Sequence, residues 1–345
     1  MVRIKALNYK VICYYYKTIG DFKNMKYISC KYLRHAIQFW KDEISICCQS
    51  GIRFPEYFTL RRNYNGEKIN WKELFELREK SLEDLKNNNP NKYCNGCIYM
   101  KEDYWDEYKP FINSIIISHW TNCNCNCIYC KLDKKPKKKP YAFLPILKEM
   151  KKQNILVFNG HLLFGGGEPT CLKEFPKILE FFYKNNIEDV QINSSGIDFS
   201  RTIAKYISKE NTMLTISVDS ADKLTYQRIK RVNKFEQVWK NIKKYTKAQK
   251  DNIYGVRTKY ILLYRLNDSK TEIYNWLLLS KNAGVNCVIM DMESVWFSRI
   301  KNNIPERIID LFNYFEEKAE ELNLKTEYYA VGEFIKPKMK KYQSI

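Results

Sequence analysis

From about residue 113 onward, short apolar segments of strand length alternate with segments that repeat apolar residues at helical spacing. The first, Ser114 to Trp120, is rich in isoleucine and suits a buried strand, and a helical stretch follows from Phe143 to Lys152. The other predicted strands are 161–164, 190–193, 213–218, 254–266 and 286–290. Six strands that alternate with helices predict βαβ units and an α/β fold with a parallel sheet. Such a sheet, when curved or closed, carries its functional loops at the C-terminal ends of the strands.

Chain length and net charge limit the domain size and the possible partners less strictly than the strand and helix pattern limits the fold. The 345 residues, 45% of them hydrophobic, are enough for a catalytic domain of about 200 residues plus an extension. The net charge of +20 suits nucleic acid, anionic lipid, a phosphorylated substrate or an acidic protein partner. A gene whose base composition favours Lys, Asn, Ile and Tyr codons explains the charge equally well, so we treat it as a secondary hint.

The location of the protein bears on its cysteine chemistry. We expect no membrane span, because no segment is long and apolar enough. The N-terminal residues lack the pattern of a cleaved signal, so we expect a cytoplasmic protein with reduced thiols. Twelve cysteines in such a compartment indicate metal binding rather than a disulfide framework. Cys13, Cys171 and Cys287 are isolated and are expected to be packed or inert.

A loop of sequence WTNCNCNCIYC follows the first predicted strand. Cys123, Cys127 and Cys130 in this loop have the spacing C-x3-C-x2-C, which can ligate three corners of a cubane iron–sulfur cluster. With three protein ligands, one iron is left open for a substrate group. The alternative is a zinc knuckle, in which Cys125 supplies the fourth thiolate. We favour the cluster, with Cys125 directed away from the iron.

This loop, the aromatic Tyr129 within it and the preceding strand resemble the radical S-adenosylmethionine (SAM) superfamily. The resemblance implies a partial (β/α)6 TIM-like barrel and a [4Fe-4S] cluster whose open iron is chelated by SAM. It also implies reductive cleavage of SAM to a 5′-deoxyadenosyl radical that abstracts a hydrogen atom. A reducing partner such as flavodoxin or ferredoxin is then required, and the basic run KKPKKK after the loop is a candidate docking segment.

Two further motifs extend the resemblance over residues 112–295. Gly165, Gly166, Gly167 and Glu168 stand where the family carries its GGE motif, which implies contact with the amino group of SAM. Ser217 and Asp219 match a Ser-x-Asp pattern near the SAM ribose, and Ser194 and Ser195 occupy the place of a Thr-Asn-Gly turn. Lys259 and Asn267 also resemble family positions, without an assigned role. A plain turn is the alternative for the glycine run, and capping of strand ends is the alternative for Ser194, Ser195, Ser217 and Asp219.

The first 110 residues hold a second group of cysteines. Cys94 and Cys97 form a C-x2-C pair, and Cys30 with Cys47, or Cys48 in its place, completes four thiolates. Four thiolates suit a second [4Fe-4S] cluster or a zinc ion. The pattern resembles the auxiliary SPASM or twitch modules of radical SAM enzymes, although such a module normally follows the barrel. Buried free cysteines are the remaining alternative.

These features predict three regions. Residues 1–110 form a cysteine-rich α+β extension, 111–300 the radical SAM core, and 301–345 a C-terminal helix and tail. We expect a substrate that is small or carbohydrate-like rather than a peptide, because no peptide-binding extension is evident. The alternatives are a zinc-binding, non-enzymatic nucleic-acid-binding protein and a radical SAM enzyme that modifies RNA, although no RNA-binding module is recognisable. The sequence identifies no catalytic acid, base or hydrogen donor.

Overall fold

A computed structural model describes residues 25–47, 59–87, 89, 94, 97, 99–130, 132, 139–329 and 331–342. These residues form twelve strands, β1 to β12: Met25–Ser29, Ala36–Trp40, Glu43–Ser45, Thr59–Arg62, Lys101–Trp105, Ile112–Ser118, Leu156–Phe164, Asp189–Ser194, Thr212–Ser217, Val256–Leu262, Cys287–Met292 and Lys325–Tyr328. They also form eleven α-helices, α1 to α11: Lys31–His35, Trp71–Lys86, Leu144–Lys152, Phe175–Lys184, Arg201–Tyr206, Lys223–Lys230, Phe235–Ala248, Lys270–Asn282, Ser294–Ile300, Glu306–Glu321 and Val331–Ile335.

Ten of the described strands form one sheet, in the order β12-β11-β10-β9-β8-β7-β6-β2-β3-β4. Every neighbouring pair from β12 to β2 is parallel, and β3 and β4 add antiparallel strands at the far edge. A separate antiparallel pair joins β1 to β5. The helices that connect β6 to β11 are the crossovers that parallel strands require.

The predicted six-stranded core is confirmed as β6 to β11, in a mixed α/β fold whose sheet is mostly parallel. The boundaries differ in places: β7 begins at Leu156, five residues before the predicted start at His161. Two parallel strands lie outside the prediction, because β2 extends the core at one edge and β12 at the other.

Local sequence signals explain where several of the helices begin and which face they bury. Ser200 and Ser269 cap α5 and α8, each accepting a hydrogen bond from the backbone N–H three residues on. The predicted C-terminal amphipathic helix is confirmed as α10, and its apolar face packs into the core.

The N-terminal extension shares the sheet of the core. β2 pairs in parallel with β6, with Ala36 opposite Ser114 and Gln38 opposite Ile116. The predicted boundary at residue 110 therefore lies just before β6, between two parts of the chain that contribute strands to the same sheet. Side chains from the extension can in this way reach the inner face of the core.

Candidate active site

The cysteine loop leaves the C-terminal end of β6 and lies against the glycine turn that follows β7. The Gly167 N–H donates to the Trp120 carbonyl at 3.0 Å, and the Glu168 N–H donates to the Asn122 carbonyl at 2.8 Å. In return, the Trp120 indole N–H donates to the Glu168 carbonyl at 3.0 Å. Three hydrogen bonds thus fix the start of the loop relative to the GGGEP segment.

Close packing between these two loops explains the run of glycines. A Cβ atom at Gly167 would lie 2.3 Å from the Asn122 carbonyl oxygen and 2.7 Å from the Trp120 ring. Gly166 has a φ of +82°, and a Cβ there would lie 2.9 Å from Ser118 Cα. No other residue type meets both demands without moving the cysteine loop.

The Glu168 carboxylate is buried and binds the turn that follows β8. Its oxygens accept hydrogen bonds from the Ser194 hydroxyl at 2.9 Å and the Ser195 N–H at 2.7 Å, and from the N–H and hydroxyl of Thr170. The Ser195 hydroxyl donates to the Asn124 side chain, 2.8 Å away in the cysteine loop. Glu168, Ser194 and Ser195 therefore form one network that reaches the middle of the loop.

The second half of the loop rests on the C-terminal end of α6. The Asn126 N–H donates to the Lys230 carbonyl and the Ile128 N–H to the Ile229 carbonyl, both at 3.0 Å. Carbonyls at the end of a helix have no partner within the helix, so the loop satisfies them. These bonds flank Cys127 on both sides.

A buried cluster of Lys230, Tyr129 and Asp219 lies beneath this contact. The Lys230 ammonium contacts the Asp219 carboxylate and donates to the Tyr129 hydroxyl at 3.0 Å, and that hydroxyl donates to Asp219 Oδ2 at 2.5 Å. Asp219 Oδ1 accepts from the Ile261 N–H at 2.9 Å, and Asn267 donates to the Asp219 carbonyl at 2.8 Å. Asp219 is fully buried, so protein groups occupy its carboxylate.

Ser217 and Asp219, the two residues predicted near the SAM ribose, differ in whether their side chains are available to a ligand. Ser217 ends β9, is half-buried, and makes no side-chain hydrogen bond within the part of the chain that the structure describes. The Asp219 carboxylate instead binds Lys230 and Tyr129. Sequence reasoning missed Lys230, whose only signal was the basic end of the segment after the Ser-x-Asp motif.

The thiols of the loop differ in their electrostatics. Hydrogen bonding with Cys125 lowers the pKa of the Cys123 thiol to about 7, and burial opposes the shift. The pKa of Cys125 itself is raised, because its thiol hydrogen-bonds to Cys123 and Cys127 and is buried. Cys125 therefore hydrogen-bonds to two of the loop thiols, and its direction relative to the iron of a bound cluster stays a prediction. Thiolates at Cys123, Cys127 and Cys130 remain the soft donor set that suits iron.

The N-terminal cysteines are also brought together. Burial and the neighbouring thiols of Cys47, Cys30 and Cys97 raise the pKa of Cys94 to about 12. Burial raises the pKa of Cys30 to about 11, and the charges of Cys47 and Cys97 add to the shift. Such mutual repulsion requires the four thiols to lie near one another, and a bound metal cation would reverse it.

The metal-site geometry of these cysteines and the positions of the remaining ones bear on both cysteine groups. In the ranges that the structure describes, no three Cys, His, Asp or Glu side chains form a preformed metal cage. Cys13, Cys48 and most of the KKPKKK run lie outside those ranges, so the choice between Cys47 and Cys48 stays a prediction. Of the isolated cysteines, Cys287 is buried in β11, where burial raises its pKa to about 12.

A cavity of about 940 Å³ runs along the inner face of the sheet. Alternate residues of the strands line it, as expected for one face of a pleated sheet. Most strand residues that line it follow this alternation: Gln38, Trp40, Ser114, Ile116, Ser118, His161, Leu163, Asp189, Gln191, Asn193, Lys259 and Asp291. The strand residues Asn113, Gly160 and Tyr328 also line it. Gly165 and Gly166 line it beside the cysteine loop, and Lys31, Tyr32 and Tyr99 line it beside Cys30 and Cys97.

A partial parallel barrel whose first core strand leads into a three-cysteine loop and whose second leads into a glycine turn defines a class of SAM-dependent iron–sulfur enzymes. In agreement, residues 117–277 match the family model of the radical SAM superfamily. The protein therefore contains a radical SAM domain over residues 117–277, and the predicted catalytic [4Fe-4S] cluster and SAM are the cofactors of that family. No helix in the described ranges has the length and apolarity to cross a membrane.

Proteins of named function are similar to part of this chain. The chain is 25% identical over 191 residues to a GTP 3′,8-cyclase of Desulforamulus reducens, covering 54% of the chain and 57% of that protein. It is 24% identical over 196 residues to the molybdenum cofactor biosynthesis protein moc-5 of Caenorhabditis elegans, covering 54% of the chain and 31% of that protein. The chain thus spans about half the length, or less, of these relatives.

Among solved structures, the fold is similar to that of SuiB from Streptococcus suis bound to the precursor peptide SuiA. The TM-score is 0.51 at 12% sequence identity, and the match covers 74% of this chain and 63% of SuiB. At that identity the likeness concerns the fold alone.

Proposed function

We propose that Cys123, Cys127 and Cys130 hold the catalytic [4Fe-4S] cluster and that the cavity holds a small polar substrate. When bound, the cluster and SAM supply the 5′-deoxyadenosyl radical that abstracts a hydrogen atom from this substrate. The chain's own part is to hold the loop rigidly at the C-terminal edge of the sheet. The hydrogen bonds from Gly167, Glu168, Asn126 and Ile128 do this.

SAM binding in this proposal uses the edge of the cavity next to the loop. The Gly165–Gly167 backbone can approach a ligand closely because it carries no side chains. Ser217 offers its hydroxyl at the C-terminal end of β9, where it suits a sugar hydroxyl. Glu168, Ser194, Ser195 and Asp219 influence SAM mainly through the loops that they hold together.

We also propose that Cys30, Cys47, Cys94 and Cys97 hold a second [4Fe-4S] cluster. The carrying observation is the cavity, which extends from Gly165 and Gly166 at the cysteine loop to Lys31 and Tyr99 beside the N-terminal cysteines. A substrate in this cavity lies between the two cysteine groups. This neighbourhood supports a second cluster that contacts the substrate or accepts an electron from it.

Iron and sulfide content after anaerobic reconstitution tests both cysteine assignments. We expect about eight iron atoms per chain, four for each cluster, and a brown protein that absorbs near 400 nm. The double variant Cys94→Ala, Cys97→Ala is expected to retain about four iron atoms and to cleave SAM still. Cys287→Ala, which removes a buried thiol outside both groups, serves as the matched control and keeps the full iron content.

Two outcomes of this experiment contradict the proposal. An unchanged iron content in the double variant would remove the second cluster. A colourless protein with stoichiometric zinc would favour the alternative, a zinc-binding protein without catalytic activity that holds nucleic acid through its positive charge.

A second candidate function comes from the relatives, which are named as GTP 3′,8-cyclases. Production of a cyclised nucleotide from GTP by the reconstituted enzyme would establish it. The cavity does not favour this substrate, because a triphosphate requires several cations and the described lining contains only Lys31 and Lys259, with no arginine. We therefore retain the small polar substrate as the first proposal.

The reductant is proposed from charge. With a net charge of +20, the enzyme suits an acidic electron donor of the flavodoxin or ferredoxin type. Replacement of dithionite by reduced flavodoxin should support SAM cleavage, and its rate should fall steeply as the salt concentration rises. A rate that does not depend on salt would contradict electrostatic docking.

A further inference from the structure

We infer that the cavity selects a polyhydroxylated molecule that carries a protonated amine. The inference rests on the proposed function, since it concerns the substrate of the same site. It starts from a contrast in charge between the cavity and the rest of the protein. The chain as a whole carries +20, whereas four carboxylates line the cavity: Glu188, Asp189, Asp291 and Glu333.

The cations of the cavity do not balance these carboxylates. Among the described residues, Lys31 and Lys259 are the lysines of the lining, and Lys31 is exposed and lies over the Tyr32 ring. Burial lowers the pKa of His35 to about 4, so that ring is neutral. His161 hydrogen-bonds to Asp189 at 2.7 Å, and even with a proton on this ring the carboxylates outnumber the cations. The lining thus favours a cation over a phosphate.

Asp291 is the carboxylate best arranged to bind an ammonium group. It lies near the C-terminal end of β11, on the side where parallel barrels carry their chemistry. Its Oδ1 accepts three backbone N–H groups, from Met292 at 2.9 Å and from Val331 and Gly332 at 3.1 Å. Oδ2 has no hydrogen bond to any described residue. Lys259 on the neighbouring strand β10 acts on this carboxylate by its charge but forms no ion pair with it, so one oxygen stays open to a ligand.

Neutral polar side chains of β2 and β6 also line the cavity, and they suit hydroxyl groups of a ligand. Gln38 and Ser114 line the cavity from β2 and β6, and both are more than nine-tenths buried. Gln38 Oε1 and Ser114 Oγ have no hydrogen-bond partner among the described residues, and neither has Trp40 Nε1. Buried polar atoms without partners are uncommon in native proteins, and rotation of these side chains toward the cavity would let hydroxyl groups of a ligand satisfy them.

The size and the remaining lining agree with this ligand class. The volume of about 940 Å³ has room for a sugar-sized ligand beside the SAM that the proposed function places at the edge of the cavity. Gln191 and Asn193 on β8 add amide groups that can donate to and accept from hydroxyls. Tyr328 and Tyr329 add aromatic rings near Asp291.

Binding of three probes to the anaerobically reconstituted enzyme tests the inference. The β-1,4 disaccharide of glucosamine carries two amines, cellobiose is its neutral counterpart, and GTP represents phosphates. Calorimetric titration in the presence of SAM should show the amine disaccharide binding at least about tenfold more tightly than cellobiose, with GTP weakest.

Two variants test whether Asp291 is the source of the preference for the amine disaccharide. Asp291→Asn should reduce the preference for the amine to about threefold or less while the affinity for cellobiose stays unchanged. Glu320→Gln, which removes an exposed carboxylate of α10 outside the cavity, should leave the preference intact.

Equal binding of the amine and neutral disaccharides would overturn the inference. Tighter binding of GTP, or no measurable binding of any probe, would overturn it as well. Iron content and SAM cleavage are measured on the same preparation. A brown, SAM-cleaving enzyme that shows any of these outcomes refutes the inference alone, whereas a colourless protein refutes the proposed function.

Discussion

The buried Lys230 ammonium donates a hydrogen bond to the Tyr129 hydroxyl, 3.0 Å away, and so connects the end of α6 to the cysteine loop. Tyr129 lies between Cys127 and Cys130 in the sequence, and both partners also contact Asp219. The residues that hold the loop thus come from the Ser-x-Asp strand and the helix after it. This relationship explains why a lysine can be fully buried in the core of a basic protein.

Replacement of Lys230 by Met should strongly destabilise the protein. Removal of one partner from a buried ion pair leaves Asp219 buried without its counter-charge, at a cost of about 3–5 kcal/mol. The free energy of unfolding in urea measures the effect. Lys240→Met on the exposed face of α7 is the matched control and should change stability by less than about 0.5 kcal/mol. Equal effects of the two substitutions would show that the Lys230–Asp219 pair does not stabilise the fold.

Replacement of Gly167 by Ala should displace the cysteine loop. The new Cβ would lie 2.3 Å from the Asn122 carbonyl oxygen, so the backbone of one loop has to move. We expect a loss of about 1–3 kcal/mol in stability and a lower iron content after reconstitution. At Gly165 the nearest atom to an added Cβ is Ser118 Oγ at 3.1 Å, so Gly165→Ala should be milder. If both variants retain iron equally, the close contact at Gly167 is not needed for the site.

The stability of the protein should depend on pH through Asp291. Burial raises the pKa of this carboxyl to about 6, while Lys259 and backbone N–H groups oppose the shift. A carboxyl whose pKa rises on folding binds more protons in the native state, so its contribution to stability falls as pH increases from about 4 through 6.

The variant Asp291→Asn removes this cost and keeps an oxygen for the three backbone donors. It should be more stable than the native protein by about 3 kcal/mol at neutral pH and nearly equal to it at about pH 4. Urea unfolding of both proteins across this range is the measurement. Asp310→Asn, on the exposed surface of α10, should show no such trend. A difference between Asp291→Asn and the native protein that does not change with pH would contradict the assignment.

The alternation of apolar strands and amphipathic helices was sufficient to predict the parallel core. Strands β6 and β11 each contain a buried apolar run, Ile115–Ile117 and Cys287–Met290, which is a signal that a sequence shows directly. The role of β2 was not predictable in the same way. Its five residues are short, and their partner β6 lies more than 70 residues later in the chain, so only long-range pairing decides where the strand goes.

Some residues of the candidate site were likewise predictable from the sequence and others were not. Cys123, Cys127, Cys130 and the glycines carry their chemistry in their spacing, so they could be found in the sequence. Lys230 and Gln38 could not be, because a single lysine or glutamine is ordinary in sequence and gains meaning only from burial and contacts. The sequence predicted that Asp219 contacts the ribose. It did not show that Lys230 and Tyr129 bind the Asp219 carboxylate.

Formation of 5′-deoxyadenosine from SAM under reducing, anaerobic conditions tests the central claim most directly. The native protein should form it, and the triple variant Cys123→Ala, Cys127→Ala, Cys130→Ala should form none above background. Cys287→Ala should behave as the native protein does, because its thiol lies outside the loop. Continued formation of 5′-deoxyadenosine by the triple variant, or its absence from the iron-loaded native protein, would contradict the account.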